Sequence, residues 1–148
     1  MDVPSRFHFT HHRLVEFADT DLAGIMHFAN FFRFVESAEH AFFRSLGFRV
    51  HTADGHEHQG WPRLEVTCQY LKPARFEETL EIGLRVSELR NSSLTYGFWV
   101  FGPGEGRSLV AKGSCSIIHV ALDTKAHQLR KAPIPAALRH ALENMMAG

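Results

Sequence analysis

The densest group of chemically reactive side chains lies in residues 16–31, immediately before an apolar, helix-like segment. It contains two carboxylates, Asp19 and Asp21, followed by Gly24 and His27. The start of a helix offers unpaired backbone N–H groups and the positive end of the helix dipole, which together can hold a developing oxyanion. A carboxylate nearby could activate water or attack a carbonyl carbon. The same carboxylates could instead only cap the helix, but capping leaves Gly24 and His27 unexplained.

The segment that follows has a wide apolar face. Its apolar residues recur at steps of three or four, and Gly47 is a natural C-terminal stop. Because a sheet covers only one side of such a helix, a partner subunit is the simplest cover for the other side. The face comprises Phe28, Phe31, Val35, Ala38, Phe42 and Leu46, and it is widened by Phe32 and Phe43.

Strand-like segments flank this helix in the sequence. Residues 7–17 give a first strand, and four later segments alternate apolar and polar residues with the period of half-buried strands. Turn signals at 91–92 and 102–104 predict antiparallel hairpins between neighbours. The four later strands are predicted at 64–70, 80–86, 94–100 and 109–122.

Two further segments complete the predicted architecture. Residues 48–62, rich in Gly, Pro and His, are predicted to form a long, partly mobile loop. Pro133 and Pro135 open a short terminal helix at 136–146. One long helix against an antiparallel five-stranded sheet is an α+β arrangement, and we expect a single domain over residues 1–148.

The composition argues against several classes of protein. Sixteen basic and sixteen acidic residues cancel without a block of like charge, so we expect no nucleic-acid surface. No apolar run approaches the ~20 residues that span a bilayer, and the N-terminal residues lack the apolar core of a signal peptide. Cys68 and Cys115 lie in strand-like runs without metal or redox spacing, as small buried residues of a reducing compartment do. These features predict a cytoplasmic protein without membrane contact.

Histidine-rich segments raise a metal site as an alternative. The spacing of these residues matches no established ligand motif, so we predict neither a metal nor a cofactor. The candidate ligands are His51, Asp54, His56, Glu57 and His58, together with the pair His11 and His12.

Residues 19–31 resemble the signature of the 4-hydroxybenzoyl-CoA thioesterase family and its acyl-CoA thioesterase relatives. That signature is Asp-x-Asp-x-x-Gly, then apolar residues, an aromatic residue or His, and Asn before an aromatic residue. Residues 70–76 resemble the family's second landmark, and the resemblance covers roughly residues 7 to 140. The two matching segments are Asp19-Thr20-Asp21-Leu22-Ala23-Gly24-Ile25-Met26-His27-Phe28-Ala29-Asn30-Phe31 and Tyr70-Leu71-Lys72-Pro73-Ala74-Arg75-Phe76.

The resemblance implies a hot-dog fold, in which the sheet wraps around the long helix and subunits join as a homodimer, often paired into a homotetramer. It also implies hydrolysis of an acyl-CoA thioester at the subunit interface. The family's catalytic carboxylate corresponds to Asp21, acting as nucleophile or as general base. Its oxyanion donor corresponds to the backbone N–H of about Phe28, and Gly24 allows substrate and backbone to approach closely.

Other residues have alternative roles. His27 could orient the thioester or water, or could only pack; Asn30 could contact substrate, or could only support the Asp loop. Glu36 shares a flank of the apolar face, so it could contact the acyl group, pair with an Arg or face solvent. Candidate cations for the CoA phosphates are Lys72, Arg75, Arg90, Lys112, Arg130 and Lys131.

Two alternatives remain open. A hot-dog hydratase or dehydratase would use an Asp and a His as a proton relay, which Asp21 and His27 could supply. The Asp-x-Asp-x-x-Gly pattern and the absence of a Pro before His27 favour the thioesterase. A non-catalytic acyl-CoA binding module would be expected to lack the carboxylate at Asp21.

Overall fold

The structure is a computed structural model that describes residues 2–148. An antiparallel sheet of five strands has the order β1-β5-β6-β7-β4, and a smaller sheet has the order β2-β3-β8-β9. In chain order the elements are β1 (Phe9–Leu14), α1 (Asn30–Ser45), β2 (Thr52–Asp54), β3 (Glu57–Gly60), β4 (Arg63–Tyr70), β5 (Thr79–Leu89), β6 (Ser93–Phe101), β7 (Leu109–Ile118), β8 (Val120–Asp123), β9 (Gln128–Lys131) and α2 (Ala136–Ala147).

The core lies between α1 and the larger sheet. The inward faces of β5 and β6 are buried at every second residue, as their alternation predicts. This confirms the α+β fold with a five-stranded antiparallel sheet around one long helix. The helix buries Phe31, Phe34, Val35, Ala38, Glu39, Phe42 and Phe43.

The first part of the predicted helix face is wrong. The helix begins at Asn30, so Phe28 precedes it in a turn, and the Phe28 side chain is 62% exposed. The C-terminal stop is confirmed, because Gly47 follows the helix with a φ of +85°, a backbone conformation that favours glycine. Within residues 2–148, no helix combines the length and apolar character needed to cross a membrane.

The helix covers the larger sheet unevenly. It packs chiefly on β1 and β5, whereas β4 lies at the opposite edge of that sheet. The strand pattern predicted that Leu64 and Tyr70 lie on the buried face of β4. That prediction is wrong, because they are 58% and 45% exposed. The pairing of β4 with β7 shifts register between Arg63 and Glu65, which turns Leu64 out of the alternation.

Three predicted boundaries need correction. Residues 48–62 are not simply a loop, because they contain β2 and β3, joined through Gly55 with a φ of +59°. The strand predicted at 109–122 is two strands, since the chain leaves the larger sheet at His119 and enters the smaller one. The first strand is shorter than predicted and ends at Leu14.

Candidate active site

The loop before α1 is held by backbone pairing. Met26 N–H donates to the carbonyl of Ala74 over 2.7 Å, and isolated bridges join Ile25 to Arg75 and Thr20 to Met26. Gly24 has a φ of +78°, and its N–H donates to the carbonyl of Asp21 over 3.0 Å. A tight turn at residues 21–24 therefore places Asp21 at the surface of an otherwise anchored loop.

Asp19 has a structural role in this loop. Its Oδ2 accepts a hydrogen bond from Glu16 N–H over 2.8 Å. Its carbonyl oxygen accepts from His27 N–H over 2.9 Å and from Asn30 Nδ2 over 2.8 Å. Asn30 thus makes the bond to the Asp loop that the sequence analysis considered, and a contact with substrate stays a prediction.

Asp21 lies on the wall between two adjoining cavities. Its Oδ1 accepts from Ala23 N–H over 2.9 Å, and its side chain is exposed. The first cavity, here called the Asp21 cavity, has a volume of about 500 Å³ and lies between the start of α1 and the end of β4. It is lined by Asp21, Ile25, Met26, Phe28, Phe31, Tyr70, Leu71, Lys72 and Pro73. The second has a volume of about 600 Å³ and includes Gly24 in its wall.

The backbone N–H of Phe28 is available to a ligand. The next amides have acceptors, since Ala29 N–H donates to His27 Nδ1 and Asn30 N–H donates to the carbonyl of His27. Among the hydrogen bonds within residues 2–148, none uses Phe28 N–H. Phe28 lines the same cavity as Asp21. Phe28 lies in the turn that precedes the N-cap residue Ala29, so a backbone N–H without an acceptor and a carboxylate line one cavity, and both are groups that acyl transfer can use.

Tyr70 is a site residue that the sequence analysis did not single out. Its hydroxyl donates to the carbonyl oxygen of Phe28 over 3.1 Å, and its ring packs edge-on against Phe31 with centroids 5.3 Å apart. This contact ties the Phe28 backbone to β4. The signal available in the sequence was a Tyr at the end of an alternating strand, next to the family's second landmark.

His27 lies beside the Asp21 cavity. Its ring stacks on Phe28 with centroids 4.6 Å apart, and its Nδ1 accepts from Ala29 N–H over 3.2 Å. In the described part of the chain, His27 is absent from the walls of both cavities, and no hydrogen bond joins it to Asp21. His27 thus packs on the turn that precedes α1.

Glu36 lies in a different cavity, further along α1. This cavity has a volume of about 290 Å³, and Glu36 Oε2 accepts from Arg63 Nη2 over 3.3 Å in its wall. Arg63 Nη1 donates to Glu39, which is 1% exposed and also accepts from the Tyr96 hydroxyl over 2.7 Å. The sequence analysis missed Glu39, although its position four residues after Val35 places it on the buried face.

Burial and charge act together on this cluster. Burial lowers the pKa of Arg63, but the hydrogen bond and charge of Glu39 outweigh burial and raise that pKa above its ordinary value. Burial and the Glu39 carboxylate raise the pKa of Tyr96 well above its ordinary value. Burial likewise raises the pKa of the Cys115 thiol. Arg63 therefore stays charged and Tyr96 stays a hydrogen-bond donor at any ordinary pH.

The candidate cations for CoA are widely separated. Lys72 lines the Asp21 cavity. Arg75 is exposed, and its backbone forms the bridge to Ile25 of the Asp loop. Arg90 and Arg130 are paired with acidic side chains at other surfaces. Lys72 is therefore the candidate best placed for a CoA phosphate.

The histidine-rich segment does not assemble a metal site in the described residues. The rings of His51 and His58 meet edge to face, with centroids 5.3 Å apart. Within residues 2–148, no group of three or more His, Cys, Asp or Glu side chains is close enough to hold a metal ion.

Comparison with known proteins places this arrangement in a family. The sequence pattern of the thioesterase-like superfamily matches residues 15–142, which is most of the chain. The chain belongs to the thioesterase-like superfamily. The expected relationship to 4-hydroxybenzoyl-CoA thioesterase and the expected class of enzyme, a thioester hydrolase, are therefore confirmed.

Individual relatives of this thioesterase-superfamily chain agree with that assignment. A protein of Aquifex aeolicus is 34% identical over 95 residues, which are 63% of this chain and 72% of that protein. The 1,4-dihydroxy-2-naphthoyl-CoA hydrolase of Thermosynechococcus vestitus is 28% identical over 126 residues, 85% of this chain and 82% of that protein.

A solved structure of 4-hydroxybenzoyl-CoA thioesterase in complex with 4-hydroxybenzoyl-CoA has the same fold. It superposes with a TM-score of 0.73 at 20% identity, over 88% of this chain and 95% of that chain. The hot-dog fold is confirmed by this match.

Proposed function

We propose that this chain hydrolyses acyl-CoA with Asp21 as the catalytic carboxylate and the Phe28 N–H as the oxyanion donor. One observation carries the proposal: Asp21 and Phe28, whose N–H has no acceptor within residues 2–148, line the same cavity. The relative that hydrolyses 1,4-dihydroxy-2-naphthoyl-CoA supports a CoA thioester as the substrate. Lys72 in the cavity wall is the proposed contact for a CoA phosphate.

The proposed reaction adds water across the C–S bond of the thioester. The carbonyl oxygen accepts from Phe28 N–H, which stabilises the negative charge that develops in the transition state. In one route Asp21 attacks the carbonyl carbon and expels the CoA thiolate, and water then hydrolyses the mixed anhydride to release the acid and restore Asp21. In the other route Asp21 takes a proton from the water that attacks the carbonyl carbon, and the CoA thiolate leaves. The acyl group leaves as the free acid, and the CoA sulfur takes the proton. Both routes need an ionised carboxylate at Asp21, and neither needs a cofactor.

We propose that the active protein is at least a homodimer with the sites at the subunit interface. The open side of the Asp21 cavity is bounded by large apolar side chains that are exposed to water in the single chain. Phe28, Tyr70 and Leu71 are 62%, 45% and 48% exposed. Since β4 is also an unpaired edge of the larger sheet, a second copy pairing there would cover both features. A homotetramer and a cytoplasmic location stay predictions.

The first test compares Asp21→Asn with Asp19→Asn. Asn at position 21 keeps an acceptor for Ala23 N–H but carries no charge. General-base steps are worth about a hundred to ten thousand fold, so thiol release should fall at least about a hundredfold. Binding of acyl-CoA, measured by calorimetry, should stay close to that of the parent. Asp19→Asn should lose less activity, because Asp19 uses its oxygens on Glu16, His27 and Asn30.

The substrate panel should contain aromatic, short-chain and medium-chain acyl-CoA thioesters, and an enoyl-CoA should be assayed for hydration. Near-normal thiol release by Asp21→Asn with an inactive Asp19→Asn would move the catalytic role to Asp19. Hydration without thiol release would favour the hydratase, and binding without either reaction would favour a non-catalytic module.

A further inference from the structure

Two cavities share a wall at the C-terminal end of α1. Each has a volume of about 280 Å³, and both are lined by Arg49 and Val50. They therefore form one continuous trough, here called the Arg49 trough. It has no lining residue in common with either cavity at Asp21. The Asp21 loop precedes α1 and Gly47 follows it, so the trough and the loop lie at opposite ends of the helix.

One end of the Arg49 trough is largely apolar and is held by packing. Trp61 meets Phe43 edge-on with ring centroids 5.3 Å apart, and its ring lies 4.9 Å from that of His119. His119 is 4% exposed, and its Nδ1 donates to the carbonyl of Pro133 over 2.9 Å. These contacts fix the wall before any ligand enters, which lowers the entropy lost on binding. The apolar lining residues are Phe48, Val50, Trp61, Pro135 and Leu138.

The other end of the trough is positively charged. Arg44 and Arg49 are exposed, and among the hydrogen bonds and ion pairs within residues 2–148 none uses either side chain. An anion that enters this end therefore meets two guanidinium groups that have no counter-ion in the described chain. The lining residues of this end are His40, Arg44, Arg49, Val50 and His51, with no acidic side chain among them.

A ligand with an apolar body and one anionic end matches both halves of the trough. We propose that the Arg49 trough binds a small carboxylic acid, with its apolar body at Trp61 and its carboxylate at Arg44 and Arg49. The planar guanidinium group matches a carboxylate with two parallel hydrogen bonds. The choice of a carboxylate rests on the proposed function, because thioester hydrolysis releases a free acid. In the acyl-CoA the same carbon is an uncharged thioester, so it offers these arginines no anion.

The first test is calorimetric titration of the parent protein with butyrate, octanoate, octanol and octyl phosphate. Each buried methylene group contributes about fourfold to affinity, so octanoate should bind at least about tenfold more tightly than butyrate. It should bind about fivefold more tightly than octanol, as expected for an exposed ion pair. Equal affinities for octanoate and either butyrate or octanol would overturn the inference. Tighter binding of octyl phosphate than of octanoate would overturn the assignment to a carboxylate.

Variants locate the bound acid. Arg49→Gln should weaken octanoate binding about fivefold. Arg33→Gln is the matched control, because Arg33 is also exposed, lies on α1 and lines no part of the trough; it should leave the affinity unchanged. Val50→Trp fills the wall that the two cavities share, so octanoate should lose its advantage over butyrate.

Three outcomes separate this inference from its rivals. Weaker octanoate binding in Lys72→Gln, with none in Arg49→Gln, would place the acid in the Asp21 cavity and overturn the inference. A lower mass of Arg49→Gln by light scattering, with octanoate affinity unchanged, would assign the trough to a second copy of the chain and also overturn it. Hydrolysis of acyl-CoA without octanoate binding would overturn this inference alone, whereas octanoate binding weakened by Arg49→Gln, without hydrolysis of any acyl-CoA, would support the site and overturn the proposed function.

Discussion

The buried cluster at Glu39 makes a quantitative prediction about stability. Glu39 is 1% exposed, and its Oε1 accepts from both Arg63 and Tyr96. Tyr96→Phe removes the second donor and leaves the ring that packs in the core. The carboxylate then keeps its cation but loses a hydrogen bond that water cannot replace at this depth.

The size of the effect follows from that burial. A hydrogen bond to a charged group contributes about 1.5–3 kcal/mol to stability. For a domain of this length, 1 kcal/mol corresponds to a change in Tm of roughly 2–4 °C. Tyr96→Phe should therefore lower Tm by about 3–12 °C. The denaturant m-value should not change, because the surface exposed on unfolding is the same.

Thermal unfolding followed by circular dichroism, at one fixed protein concentration, measures this effect. Tyr70→Phe is the control, because it removes a hydroxyl that is bonded over 3.1 Å to Phe28 at the exposed edge of the sheet. That variant should keep Tm within about 1–2 °C but should lower kcat, since the Phe28 backbone loses its tie to β4. Equal Tm values for Tyr96→Phe and the parent would show that Glu39 is not a buried charge held by this bond.

Three further predictions concern pH, cysteine chemistry and assembly. Burial, and then the charges of Arg85 and Arg6, lower the pKa of His8 in the folded chain. The free energy of unfolding should therefore fall as the pH drops below the unfolded pKa of about 6.5, and should level off below the folded pKa. Melting curves from about pH 7.5 to about pH 5.5 should show a smaller fall in Tm for His8→Gln than for the parent. Burial raises the pKa of the thiols of Cys68 and Cys115, so neither is a ready nucleophile. The double variant Cys68→Ser, Cys115→Ala should therefore still release thiol from acyl-CoA. A folded but inactive double variant would count against Asp21 as the catalytic carboxylate. Light scattering should give at least twice the chain mass of 16.8 kDa, and an active monomer at micromolar concentration would contradict the interfacial site.

The sequence predicted those parts of the fold that depend on periodicity. Every second residue from Leu80 to Val86 in β5 and from Leu94 to Val100 in β6 is buried, and the α1 stripe repeats every three or four residues, so these elements were found. The smaller sheet was missed because β2 and β9 are exposed throughout and so show no alternation between buried and exposed residues. The break at His119 was missed because β7 and β8 follow each other with a single residue between them.

The candidate site was predicted less completely than the fold. The Asp21 loop could be found because its residues are contiguous in the sequence. Tyr70 and Arg63 lie on β4, and the residues that they contact lie 24 to 42 residues earlier in the chain. Their contacts depend on pairing between distant segments, which a local pattern does not contain.

The register shift in β4 shows why alternation failed at the start of that strand, where Arg63 contacts Glu36 and Glu39. Arg63 pairs with Ile117 and Glu65 pairs with Ser116, so Leu64 is an extra residue without its own partner. An inserted residue reverses which side chains face the core on one side of the bulge. Strict alternation from Val66 would turn Leu64 inward and Arg63 outward. The bulge does the opposite: it leaves Leu64 58% exposed and lets Arg63 reach Glu39. Without it, a carboxylate buried in the core would lose its cation, a loss that costs about 3–5 kcal/mol. The bulge, and not the alternation of β4, therefore allows Glu39 to be buried beside Arg63.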